Sequence, residues 1–259
     1  MRSVRDDSFV ASMGTATVDV TNRIGREIVS GRIAPGATLP NEAKMSESFD
    51  VGRSCVREAI KMLAAKGMVQ TRPRRGSQVT PARNWNFFDQ QVLLWLRDSG
   101  PDLNTIRELL ELRLGVEPRA AALAAGKASR EQIAAIRSAY ASMEQAAEGK
   151  TDPVMADGAF HEAIIAATNN RFFLPFGAMI KTALFVTAPT TNAIFGHSVG
   201  DLEAHGRVLA ALEASAAQEA WMAMERMLQD VLDAVNLARD RNDMGLRAPP
   251  GRRVKTTGI

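Results

Sequence analysis

The tightest constraint on how this chain folds is a switch of apolar spacing inside its first third, from helical to strand-like and back. Val20, Ile24, Ile28 and Val29 recur at i, i+4 and i+8/i+9, which puts them on one stripe of a helix over 18–30 that Gly31 stops. Pro35-Gly36 turns the chain, Pro40 presets a second short helix over 41–49, and Asp50-Val51-Gly52 ends it. A third helix over 53–66 turns Val56, Ile60, Leu63 and Ala64 inward and leaves Arg53, Ser54 and Arg57 on another face of its first turns. Met68-Val69 and Gln78-Val79 then bracket Arg72-Pro73-Arg74-Arg75-Gly76, a hairpin pattern with a basic tip. Helix, helix, turn, helix and basic hairpin together read as a winged helix-turn-helix over 17–82.

In the stretch 83–101, Phe88, Val92, Trp95 and Leu96 keep helical spacing ahead of a Ser99-Gly100-Pro101 break, which predicts a linker helix. From there to 243 the sequence is Ala-rich and helical in period, predicting helices near 103–125, 129–148, 153–168, 171–187, 199–214 and 217–240. Breaks are expected at Gly126, Gly149-Lys150, Asn169-Asn170, 188–200 and 214–217, and no unit of ~20–50 residues repeats. The expected fold class is mainly α, a winged helix-turn-helix with a small β-hairpin followed by an all-α bundle over 102–243. Pro118, inside the first bundle helix, is expected to kink it. Residues 1–16 and the basic, Pro- and Gly-containing segment 244–259 are expected as disordered tails.

Charge follows the same division. Residues 1–83 hold 14 basic and 8 acidic side chains, whereas 84–243 hold 14 basic and 21 acidic. A basic first part on an acidic remainder implies that only the first part meets a polyanion, with scattered solvated charge as the plainer alternative. No run approaches the ~18 apolar residues of a bilayer span, since the best stretch, 179–188, is short and contains Lys181. The N-terminus lacks the apolar core of a secretion signal, and the single cysteine, Cys55, has no partner within the chain and reads as a packed small residue. The expected location is the cytoplasm, on the nucleoid and away from membranes.

Several spaced motifs carry a resemblance. Gly31-x-Ile33-x-Pro35-Gly36-x-x-Leu39-Pro40-x-Glu42, Val51-Gly52-Arg53-x-x-Val56-Arg57-Glu58-Ala59, Gly67 and Gly76 resemble the GntR family of bacterial regulators. Glu111-x-Arg113-x-x-Val116-Glu117, Asp157-x-x-x-His161 and His205 resemble the FCD type of second domain that marks its FadR-like branch. Within that branch, Trp85-Asn86-x-x-Asp89-x-x-Val92-Leu93-x-Trp95 is similar to the galactonate-operon repressor group of aldonate-responsive regulators. The resemblance implies a homodimeric transcription regulator on pseudo-palindromic double-stranded operator DNA. It further implies a repressor released by a small organic acid, a sugar acid first among them.

In such a fold the third helix enters the major groove, which assigns Arg53, Ser54 and Arg57 to base edges and phosphates. Lys44 supplies charge from the second helix, where Ala43 stands in place of a frequent family Arg. Arg72, Arg74, Arg75 and Gly76 of the wing are assigned to the DNA backbone or minor groove. The plainer alternative for the arginines is a solvated face paired with Glu58 or Glu47. Gly52 replaces a common Ser at the helix N-cap, forgoing about a few tenths of a kcal/mol.

In the second domain, Asp157 and His161 are i and i+4 and project to one side of a helix. The FCD resemblance implies that with His205 from another helix they form a ligand set for a divalent ion, Zn²⁺ first, with Ni²⁺ or Mn²⁺ as alternatives, where without it unrelated core or surface polar groups would be the plainer reading. Many FCD proteins carry a further histidine where this chain has Met227. Three ligands leave room for a carboxylate on the ion. Arg113 is assigned to the effector's carboxylate, against a surface pair with Glu117, and Asn169 to the effector or to a helix end. His197 is read as a loop histidine. The rival function is a metal-dependent enzyme with a DNA-binding appendage, yet no nucleophile elbow, Walker loop or dinucleotide fingerprint accompanies the triad, so the expectation is no enzyme.

Overall fold

In the computed structural model of the protein, residues 5–72, 75–196 and 201–243 are described, and the chain divides into two units between Gly100 and Pro101. The first unit is built from helices α1 (Arg5–Val29), α2 (Glu42–Phe49) and α3 (Arg53–Ala65), strands β1 (Val69–Arg72) and β2 (Gly76–Val79), and helix α4 (Gln90–Asp98). Val20, Ile24 and Ile28 of α1 pack with Met45 of α2 and Val56, Ile60 and Leu63 of α3, so the three apolar stripes read from the sequence close one core. Asn41 caps α2, its side chain accepting from the Lys44 N–H, while Gly52 caps α3 with backbone alone. The wing is an antiparallel pair in the register Val69↔Val79 to Arg72↔Gly76, rooted in the core by Met68, Val69 and Val79. Gly76 opens β2 at φ +76, a left-handed conformation that favours glycine.

Helix α1 begins at Arg5, so the backbone is helical over 5–16, within the stretch 1–16 expected as a tail. Ala11, Met13 and Ala16 are helix formers that let the turn pattern propagate backward from the anchored 18–29 stripe. The expected linker helix over 83–101 is α4, and it belongs to the first unit. Val92 and Trp95 join the α1–α3 core, and the Trp95 indole N–H donates to Asn22 Oδ1 at 3.0 Å. An indole buried with its N–H satisfied fixes α4 on α1. The fit is close, since a Cβ added at Gly25 would stand 2.4 Å from the Trp95 ring.

The second unit consists of α5 (Leu103–Lys127), α6 (Arg130–Ala147), α7 (Pro153–Ala167), α8 (Leu174–Phe195), α9 (Leu202–Glu213) and α10 (Ala217–Asp243). Side chains of Asp102, Ser129, Asp152 and Asp201 cap α5, α6, α7 and α9, with a complete capping box at Ser129/Gln132. Phe160, Ile136, Met143, Val208, Leu212 and Met224 fill the main core. Ile106 and Leu110 of α5 meet Leu232 and Val235 of α10 in a smaller cluster. Pro118 is buried inside a continuous α5, and Gly126 does not interrupt that helix. The break expected across 188–200 is corrected too, because α8 runs through Pro189 to Phe195, where Gly196 at φ +74 stops it. Among the described residues no helix is long and apolar enough to cross a membrane. The expected tail 244–259 and His197 lie outside the described residues.

Candidate functional site

The exposed face of α3 presents Arg53, Ser54 and Arg57. Arg57 forks onto Glu42 of α2, with Nη2 at 2.9 Å and Nε at 3.2 Å from its two carboxylate oxygens. Neither Glu58 nor Glu47 takes that role, and Glu58 pairs with Lys61 instead. The Arg57 and Glu42 side chains are 59% and 41% exposed, so water competes for both and their pair opens readily for another anion. Lys44 and Arg53 are exposed and border one surface notch between α2 and α3. On the wing, Arg72 donates to Gln70 Oε1 at 3.1 Å, and Arg75 stands exposed beside Gly76. Arg74 lies outside the described residues. Cys55 is buried under this face.

In the second unit, α7 supplies Asp157 and His161 one turn apart and α9 supplies His205. Asp157 Oδ1 is 3.2 Å from His161 Nε2 and 3.1 Å from His205 Nε2, and the two Nε2 atoms are 3.4 Å apart. The other ring nitrogens are engaged outward. His205 Nδ1 lies 2.7 Å from the Asp201 carbonyl oxygen, and His161 Nδ1 closely contacts Glu117 Oε2. A carbonyl or carboxylate oxygen beside each Nδ1 calls for the proton there, which turns both Nε2 lone pairs toward the Asp157 oxygen. Three acceptor atoms thus converge on one point, an arrangement that demands positive charge, and the outward nitrogen of each histidine faces an oxygen, as in many metal sites.

The titration behaviour agrees with that demand. Burial pulls the His161 imidazole down, but the Glu117 charge and the Asp157 carboxylate override it and push His161 up to about 9. Burial would raise Asp157, yet when protons rather than a cation fill the site, donation from the Nε2 side of His161 and His205 holds it well below the usual carboxylate range. Burial likewise opposes ionisation of Glu117, and the Arg113 and His161 charges keep it at about 2. Arg113 Nε donates to Glu117 at 2.5 Å, and Nη2 lies 3.3 Å from His161 Nε2. The Arg113–Glu117 pair weighed as a surface contact does form, but in the interior, with side chains 5% and 2% exposed.

Triad and Arg113 open onto a cavity of about 360 Å³, within the range of small-molecule sites. Its remaining wall comes from α8, through Leu184, Thr187, Thr191 and Asn192, and from α10, through Met227 and Asp230. Asn169 is not part of that wall. It sits at φ +51 after α7, donates to the Lys127 carbonyl and accepts from Gln132 Nε2, tying three helix ends together. Its place among the effector contacts is therefore corrected to a helix-end role. Sequence reasoning missed Thr187, Thr191, Asn192 and Asp230. Leu184, Thr187, Ala188, Thr191, Asn192 and Phe195 recur at one-face helical spacing, a signal hidden by stopping the helix before Pro189.

Known proteins show the same two-part organisation. Residues 16–79 match the family described as bacterial regulatory proteins, gntR family, and residues 108–230 match the FCD domain. The HTH-type transcriptional regulator YieP of Escherichia coli is 32% identical over 214 residues, covering 81% of this chain and 91% of that protein. This chain belongs to the gntR family. The galactonate operon transcriptional repressor of Escherichia coli is 34% identical to this gntR-family chain over 158 residues, 60% of this chain and 69% of the repressor. Among solved structures, that of Lar, which controls expression of the Listeria monocytogenes agr system, aligns with TM-score 0.59 at 18% identity over 85% of this chain and 96% of that one, a likeness of fold. The gntR-family chain is a DNA-binding transcription regulator of the GntR/FCD type.

Proposed function

We propose that this regulator is a homodimeric repressor whose operator grip is released by a small organic acid, a sugar acid of the aldonate type, bound beside a divalent metal ion in the second unit. The convergence of Asp157 Oδ1 and the Nε2 atoms of His161 and His205, all within 4.8 Å of one another, carries this conclusion. A metal ion held there, Zn²⁺ before Ni²⁺ or Mn²⁺, supplies a Lewis-acidic anchor for an anion. The charge of the cavity supports the same conclusion. Asp157, Asp201 and Asp230 line it against a single guanidinium, and Glu117 already compensates that one. A cation in the cavity makes entry of an anionic effector more favourable. Arg113 orients the effector's carboxylate through its Nη2 edge. The galactonate operon repressor, 34% identical over 158 residues, supports the aldonate class.

On the DNA side, two copies present α3 to a pseudo-palindromic operator, with Arg53, Ser54 and Arg57 toward base edges and Lys44, Arg72, Arg74, Arg75 and Gly76 toward the backbone. Release requires that the acid bind the DNA-free state better, and a coupling of about 1–3 kcal/mol corresponds to a 5–150-fold change in affinity. The test is elemental analysis of the purified protein and of its His161→Ala and His205→Ala variants, with thermal shift by sugar acids before and after EDTA. Stoichiometric metal lost in both variants, and EDTA-sensitive stabilisation, are expected. A metal-free protein that takes up no added divalent ion would falsify the metal assignment.

A further inference from the structure

We infer that the α8 and α10 part of the cavity wall selects a polyhydroxylated monocarboxylate, with Thr191 and Asn192 receiving hydroxyl groups and Asp230 excluding a second carboxylate. This rests on the acid-sensing role proposed above and names what that site tells apart. The Thr191 hydroxyl lies 3.2 Å from the Thr187 carbonyl oxygen and 3.3 Å from that of Ala188, so its hydrogen is given back to its own helix and its lone pairs remain as acceptors. Thr187, itself buried, is engaged in the same way with the Leu184 carbonyl at 3.4 Å. Asn192 lines the cavity half-buried, and among the described residues its carboxamide takes part in no hydrogen bond, leaving donors and an acceptor. Asp230 also lines the cavity, is exposed, and enters no ion pair among the described residues.

Acceptor, amide and free carboxylate on one wall match a chain of hydroxyl groups, each of which both donates and accepts. They do not match a second anion. Such a group would meet the Asp230 charge, and the cavity's one guanidinium is already neutralised by Glu117. Leu110, Leu184 and Val231 line the same cavity and suit the carbon backbone of an open-chain sugar acid. Asp230 is therefore a specificity residue that acts by repulsion.

Matched ligand pairs provide the experiment. The metal-loaded, full-length protein is titrated by calorimetry and thermal shift with D-galactonate against galactarate, and D-gluconate against glucarate, each pair differing only in a terminal hydroxymethyl or carboxylate. At least one aldonate binds, and its dicarboxylate counterpart binds roughly tenfold or more weakly, because like charges juxtaposed at an interface are strongly disfavoured. Asp230→Asn closes that gap while leaving metal content unchanged, and Asn192→Ala weakens the aldonate. Equal binding of both members of a pair, or a gap that survives Asp230→Asn, overturns the inference. EDTA-sensitive binding of lactate or citrate in place of either aldonate overturns it while sparing metal-dependent acid sensing. A metal-loaded protein that responds to no acid overturns both.

Discussion

Arg57 holds Glu42 with two hydrogen bonds on an exposed face, and under the proposed operator contact a phosphate or base edge displaces that interaction. Arg57→Ala is expected to weaken specific operator binding by about 1–3 kcal/mol with little change in stability, read by gel shift alongside chemical denaturation. Affinity that does not move would take Arg57 out of the reading set. Glu117 behaves in the opposite way because it is buried against Arg113 and His161. Glu117→Ala leaves a guanidinium uncompensated in the interior, and a loss of about 3–5 kcal/mol in urea denaturation is expected. A loss below about 1 kcal/mol would place Arg113 in water and contradict its burial. Arg75, exposed at the wing, has a different signature. Arg75→Ala should weaken binding to all sequences alike and lower the slope of log K against log salt by about one, in titrations across salt concentrations.

At the level of the elements, α4 is the piece whose role changed most. Its spacing was legible as a helix, but Trp95 gives no hint in sequence that Gly25, far upstream, leaves the space for its ring. Trp95→Ala is expected to cost the first unit about 3–5 kcal/mol, and Gly25→Val to be comparably damaging because the ring stands where the new side chain must go. Denaturation followed by tryptophan-independent circular dichroism measures both, and a Gly25→Val protein of unchanged stability would show that α4 does not pack as described. The helices of the second unit were legible because an Asp or Ser cap and an apolar stripe agree at most of their starts. Their ends were not. Gly126 and Pro189 carry local signals against a helix that tertiary packing overrides. The triad was legible only through the FCD resemblance, since an Asp and a His sharing a helix face are common and nothing in their spacing points to His205. Asp230 was not legible, since one acid among several on the solvent face of α10 has no sequence mark of its own.

For the molecule as a whole, the charge division becomes a division of labour. Arg53, Arg57 and Lys61 lie exposed on α3 and Arg72 and Arg75 on the wing, and the cavity lies in the acidic remainder. Among the described residues, every side chain bordering that cavity comes from the stretch between Leu110 and Val231. Under the proposed function, chemical selectivity is therefore carried as one contiguous cassette, so a genetic exchange near Gly100 would hand a new operator to the same taste for acids, or a new taste to the same operator.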